Sequence, residues 1–261
     1  MDQNQLIERI AEEVIKRLQG STVAVETAHL PDGPDGTLSH AEMARYIDHT
    51  LLKPESTIDQ YDQMVAECVQ YNFKSICVNS SWVDYVARKL QGSGIEICSV
   101  VGFPLGAMTS RSKAFETREA VADGATEVDM VINVGRLRSG DYDAVEEDIR
   151  AVRRATRANT VLKVILETCM LSDEEKIIAC ELSKKAGADF VKTSTGFSSG
   201  GATVEDIRLM RSTVGPDMGV KASGGIRTWD AAVSLIQAGA TRLGIGSSIK
   251  VMTGGVAEGN Y

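Results

Sequence analysis

The chain has 261 residues, 43% of them apolar, and a formal net charge of −8. That length suits one large α/β barrel, routinely built from about 250 residues, or two small domains. The acidic balance excludes the basic face that a nucleic-acid binder needs, and no run of about 18 apolar residues is present to span a membrane.

Residues 1–19 read as an amphipathic helix. Leu6, Ile7, Ile10, Val14, Ile15 and Leu18 recur at helical spacing, and Glu8, Arg9, Glu12, Glu13, Lys16 and Arg17 fill the other face. The acidic residues rule out a secretory signal. Residues 20–37 contain Pro31-Asp-Gly-Pro-Asp-Gly36 and read as a flexible linker. Ser39 and Glu42 have capping-box spacing and open the main domain, residues 38–261.

From there β-type runs alternate with helical patterns. The runs fall at 46–50, 75–79, 96–102, 127–133, 161–167, 189–194, 219–224 and 242–246. Helical patterns between them include 57–71, 111–123, 142–158, 172–186, 203–214 and 228–238. Ser172 and Glu175 repeat the capping-box spacing. Gly124, Gly187 and Gly239 each sit between small residues just before a strand, as a glycine that ends a helix does. Eight such units predict a parallel sheet closed into a (β/α)8 TIM barrel, with an N-terminal helix and linker in front. An open doubly wound sheet is the competing architecture, but no Gly-x-Gly-x-x-Gly follows the first strand.

The five cysteines (Cys68, Cys77, Cys98, Cys169, Cys180) show no Cys-x-x-Cys spacing and read as reduced, intracellular thiols. The three histidines, His29, His40 and His49, all precede residue 50, which disfavours a zinc-dependent carbonyl chemistry. Lys192 and Lys221 lie inside apolar runs on successive predicted strands. A buried ammonium must be paired or lose its proton, and two neighbours repel. One of them is then a neutral amine, a nucleophile for carbonyls. Asp129, within Val128-Asp-Met-Val-Ile132, must pair with a cation or act as an acid/base group, and Lys163 can tune the same cluster. After strand seven comes Ser223-Gly-Gly-Ile-Arg227, and after strand eight Gly244-Ile-Gly-Ser-Ser248. In a barrel these two loops are the common phosphate site, with backbone N–H groups as donors.

Glu127-Val-Asp-Met-Val-Ile-Asn133, Leu162-Lys-Val-Ile-Leu-Glu-Thr168, Phe190-Val-Lys-Thr-Ser-Thr-Gly-Phe197 and Val220-Lys-Ala-Ser-Gly-Gly-Ile-Arg227 resemble deoxyribose-phosphate aldolase, as do Asp48-His-Thr-Leu-Leu-Lys-Pro54 and Val101-Gly-Phe-Pro-Leu-Gly106. The resemblance spans residues 40–250 and implies a class I aldolase of barrel fold with no cofactor and no metal. It implies Lys192 as the Schiff-base lysine, Lys221 as the second lysine and Asp129 as the proton donor and acceptor. Asp48, Cys77, Lys163 and Thr193 become substrate-pocket positions, and Gly224, Gly225, Arg227, Gly244, Gly246, Ser247 and Ser248 the phosphate cradle. The strand-eight segment is one residue longer than the common Gly-x-Ser-Ser, so either Ser247 or Ser248 can meet the phosphate. The implied reaction is reversible cleavage of 2-deoxy-D-ribose 5-phosphate to acetaldehyde and glyceraldehyde 3-phosphate. Another Schiff-base aldolase or a non-catalytic sugar-phosphate barrel are the alternatives.

The expected setting is a cytoplasmic homo-oligomer, a dimer or tetramer. Residues 1–19 with their linker resemble an encapsulation peptide, which implies a bacterial microcompartment shell protein as partner; a helix packed under the barrel is the alternative. Residues 253–261 read as a tail, with Tyr261 either idle or dipping into the mouth as a proton shuttle.

Overall fold

The computed structural model describes residues 38–257. Eight parallel strands close into a barrel in the order β1 to β8 and back to β1. They are β1 Ile47–Leu51, β2 Ser75–Val78, β3 Glu96–Val101, β4 Glu127–Val131, β5 Val161–Ile165, β6 Phe190–Lys192, β7 Gly219–Ser223 and β8 Arg242–Ile245. The predicted (β/α)8 barrel is therefore the fold. β1 runs one residue past its predicted end, whereas β2 to β8 stop one or two residues before theirs, and the residues released in this way form the loops at the mouth. The predicted helix at 1–19, the linker and Tyr261 lie outside the described residues.

The helices that precede or follow the strands are α1 His40–Tyr46, α2 Ile58–Tyr71, α3 Val83–Lys89, α4 Ser110–Ala122, α5 Val134–Arg138, α6 Tyr142–Ala155, α7 Asp173–Lys185, α8 Val204–Val214, α9 Trp229–Gln237 and α10 Ser248–Met252. Capping boxes start α1 at Ser39/Glu42 and α7 at Ser172/Glu175, so the side chains satisfy backbone N–H groups that the first turn leaves unpaired. Gly124, Gly187 and Gly239 take φ values of 114°, 84° and 114°, a left-handed backbone in which a Cβ is strained. No described helix is long and apolar enough to cross a membrane.

Strand alternation divides the buried residues into two shells. Ile47, Ile76, Val128, Leu162, Val164, Val191, Val220 and Leu243 point outward and join the large apolar cluster under the helices. Inside the barrel the apolar cluster is small: Leu52, Cys77, Cys98 and Val100, with Phe103 against it. A barrel interior is ordinarily filled with branched aliphatic side chains. Much of this interior is instead polar. Asp48, Glu127, Asp129, Lys163, Lys192, Lys221 and Arg242 are all buried.

Candidate active site

The register of the parallel ladders brings the charged residues together. Lys192 on β6 lies directly opposite Lys221 on β7, Asp129 on β4 opposite Lys163 on β5, and Lys221 opposite Arg242 on β8. With strand neighbours about 4.8 Å apart, these residues occupy adjoining places on one inward face. Glu127 shares the face of Asp129 because residues two apart on a strand point the same way.

Asp129 is the hub. Its Oδ2 accepts hydrogen bonds from both Lys192 and Lys221 at 2.8 Å, and its Oδ1 from Lys163 at 2.8 Å. Cys98 donates its thiol to the same Oδ1 at 3.1 Å. Burial opposes ionisation of this carboxyl, but the ammonium groups of Lys163, Lys192 and Lys221 outweigh it and hold Asp129 well below the ordinary carboxylate range. Lys221 also bonds Asp48, while Lys163 reaches Glu127 at 2.5 Å. Burial pushes both of these lysines down, but the neighbouring carboxylates, Asp129 foremost, raise them above the normal range. Arg242 closes the network by donating to Asp48 at 2.7 Å and to Glu127 at 2.9 Å.

Four bases, Lys163, Lys192, Lys221 and Arg242, thus meet three carboxylates, those of Asp48, Glu127 and Asp129. With every group ionised the set carries one excess positive charge, in an interior where unbalanced charge is expensive. Loss of one proton, from a lysine or from the nearby thiol of Cys77, restores balance. The Cys98 hydrogen bond draws the Cys77 thiol down, against the opposing effect of burial and with help from Lys221.

The predicted site residues separate into groups. Lys192, Lys221, Asp129, Lys163, Asp48 and Cys77 come together inside the barrel. Asp48 is fully buried, with its carboxylate committed to Lys221 and Arg242. Thr193 is also fully buried, and its hydroxyl ties β6 to β7 by donating to the Ser223 carbonyl and accepting from the Ser223 N–H, each at 3.1 Å. Gly224, Gly225 and Arg227 lie in the loop beyond β7, Gly244 within β8, Gly246 and Ser247 in the turn after it, and Ser248 at the start of α10, all toward the carboxyl end of the barrel. Gly224 and Gly225 take φ values of 85° and 74°, which only glycine adopts readily. Arg227 is exposed and Ser247 half-buried, whereas Ser248 is fully buried.

Several residues of the site were not singled out from the sequence. Glu127 and Arg242 complete the charge network; the signal was a charged residue at the start of an apolar strand, on the inward parity. Gly201 packs against the cradle: the Ala202 N–H donates to the Gly224 carbonyl at 3.0 Å, and a Cβ on Gly201 would sit 2.2 Å from that oxygen. Glu167 has φ 58°, uncommon for a residue with a side chain, and its carboxylate accepts the N–H of Thr195 at 3.2 Å and its hydroxyl at 2.5 Å. It thereby fixes the loop just past Lys192.

Among the described residues, Cys77, Cys98 and Asp129 offer donor atoms within 4.8 Å of one another, a spacing that suits a metal ion. The three ammonium groups on Asp129 oppose a cation there.

A family model described as DeoC/LacD family aldolase matches residues 42–258. A Streptococcus gordonii protein named deoxyribose-phosphate aldolase is 57% identical over 220 residues, 84% of this chain and 100% of that one. One of the same name from Streptococcus sanguinis is 59% identical over 220 residues, with the same coverage. The tetrameric structure of deoxyribose phosphate aldolase from Aeropyrum pernix is similar with a TM-score of 0.77 and 34% identity, over 82% of this chain and 91% of that one.

Proposed function

The chain belongs to the DeoC/LacD family of aldolases, and from that membership we infer that it reversibly cleaves 2-deoxy-D-ribose 5-phosphate to acetaldehyde and D-glyceraldehyde 3-phosphate. The observation that carries the chemistry is the shared oxygen of Asp129, which joins Lys192 to Lys221 in a network with one positive charge too many.

In this reading the proton lost is that of Lys192. Its neutral amine attacks the aldehyde carbon C1 of the substrate, and loss of water leaves an iminium ion. The iminium withdraws electrons from the C2–C3 bond, whose cleavage needs removal of the C3 hydroxyl proton. Glyceraldehyde 3-phosphate departs, and the enamine left on Lys192 takes a proton at C2 and is hydrolysed to acetaldehyde. The low position of Asp129 makes it a resting counter-ion that takes up a proton only transiently. Its two 2.8 Å bonds support a role as relay between Lys192 and Lys221. Such general acid–base help contributes about 10²–10⁴-fold. The glycine and serine loops after β7 and β8 receive the phosphate, which orients C1 against Lys192. Ser248 already has its hydroxyl engaged within the protein, which supports Ser247 as the serine that meets the phosphate.

Borohydride reduction in the presence of substrate tests the assignment. The expected result is a reduced two-carbon or sugar adduct on the peptide containing Lys192. Trapping on another lysine, or none while turnover persists, overturns it.

Residues 1–19 dock on a microcompartment shell protein in the same proposal, with the enzyme otherwise cytoplasmic and a homo-oligomer. Their apolar stripe at helical spacing supports a helix-in-groove partner. Deleting residues 1–36 is expected to keep aldolase activity and abolish co-purification with shells; loss of folding would refute this.

A further inference from the structure

We propose that His49 is a positioning residue for the serine loop of the phosphate site, held to that task by Glu67. This rests on the phosphate reading of the loop after β8.

Strand alternation turns Asp48 into the barrel and therefore turns His49 outward, toward α2 and α10. That outward shell is largely apolar, as Ile47 two residues earlier illustrates. His49 is only 4% exposed, so both of its ring nitrogens need partners. Nδ1 lies 2.9 Å from the hydroxyl of Ser248, and Nε2 lies 2.7 Å from Oε2 of Glu67 on α2. Glu67 is itself held by Gln63, whose amide donates to Oε1 at 2.8 Å. The ring packs against Phe73, centroids 5.1 Å apart. The first strand thereby grips the last loop across 199 residues of sequence. His49 is also the register partner of Ile245, at the end of β8.

Both protonation states of the ring keep this grip. A neutral imidazole donates from Nε2 to Glu67 and accepts the Ser248 hydroxyl at Nδ1. An imidazolium donates from both nitrogens, and the Ser248 hydroxyl then turns to the Ile245 carbonyl, 2.9 Å away. In either case Ser248 is fixed at the point where the loop becomes α10. That fixes the backbone of Gly246 and Ser247 just before it. Anion recognition by backbone N–H groups and a hydroxyl needs such a loop held to a fraction of an ångström.

A purely structural staple would weaken the whole protein. A positioning residue changes the advantage that phosphate confers on the substrate. The test therefore compares kcat/KM for 2-deoxyribose 5-phosphate with that for unphosphorylated 2-deoxyribose, alongside melting temperatures. His49→Leu, which loses both hydrogen bonds, is expected to lower the phosphorylated-to-unphosphorylated ratio roughly tenfold. His49→Asn, whose amide reaches the Nδ1 position, is expected to restore most of it. An unchanged ratio in His49→Leu, whether the two activities fall together or not at all, overturns the proposal. Should His49→Leu not fold, Glu67→Gln is expected to lower the ratio about two- to threefold, and an unchanged ratio there overturns the proposal equally. Ser247→Ala tests the underlying phosphate reading on its own. If that ratio stays constant while the His49 variants shift theirs, the phosphate contact at Ser247 fails and the His49 positioning role stands.

Discussion

Lys221→Met separates two ways in which the second lysine could serve the first. The substitution keeps an unbranched chain in the barrel and removes one ammonium. Lys192 and Lys221 each bond Oδ2 of Asp129 at 2.8 Å. Two donors on one carboxylate oxygen lie about 5 Å apart. At that distance and an effective dielectric of about 20, their repulsion is about 3 kcal/mol, equivalent to about 2 pH units. Without Lys221, the bases Lys163, Lys192 and Arg242 balance Asp48, Glu127 and Asp129, and Lys192 keeps its proton. The acid limb of kcat/KM is therefore expected to move up by about 2 pH units, with activity at pH 7 falling roughly 100-fold and returning in alkaline buffer. An NADH-coupled assay of triose phosphate release across the pH range reads this directly. Removing one partner of a buried pair also costs about 3–5 kcal/mol of stability, so the assay temperature must lie below the variant's melting transition. If the rate falls evenly at all pH values with the limb in place, Lys221 handles protons and does not set the charge on Lys192, and the charge-balance argument is wrong.

Two further substitutions probe the network and the cradle. Asp129 and Asp48 are held below the ordinary carboxyl range, so each stabilises the fold above that range and loses its contribution as pH falls through its folded value. Asp129→Asn is accordingly expected to lose about 3–5 kcal/mol in urea unfolding at pH 7, with the gap to the unmodified protein narrowing in acid. Equal stabilities at pH 7 would show that Asp129 is not the hub. Gly201→Ala places a Cβ 2.2 Å from the Gly224 carbonyl oxygen, so the loop after β7 must shift. KM for the phosphorylated substrate is expected to rise tenfold or more, because a displacement of about 1 Å can cost about 100-fold in rate. An unchanged KM would remove that loop from the phosphate site.

The β1 to β8 alternation was legible because strand and helix periods differ, and the placement of Asp129, Lys163, Lys192 and Lys221 on one face follows from the two-residue period of a strand. The glycines at 124, 187 and 239 were legible for a similar local reason, since a left-handed backbone demands them. The ends of β2 to β8 were read too long because β-forming residues continue past the strand into the mouth loops, as Ile132 does after β4.

What the sequence by itself determined, then, was the inventory: eight strands, the lysines that stand on adjacent ones, and the glycine loops that follow the last two. Which carboxylate each lysine holds was decided only by closure of the barrel. Closure sets Asp48 of the first strand against Arg242 of the last, and Asp129 between Lys163, Lys192 and Lys221. Closure likewise brings His49 to Ser248. Local spacing governs which way a side chain points. The distance between residues nearly 200 positions apart depends on strand register and on how the sheet meets itself, and no local pattern encodes either.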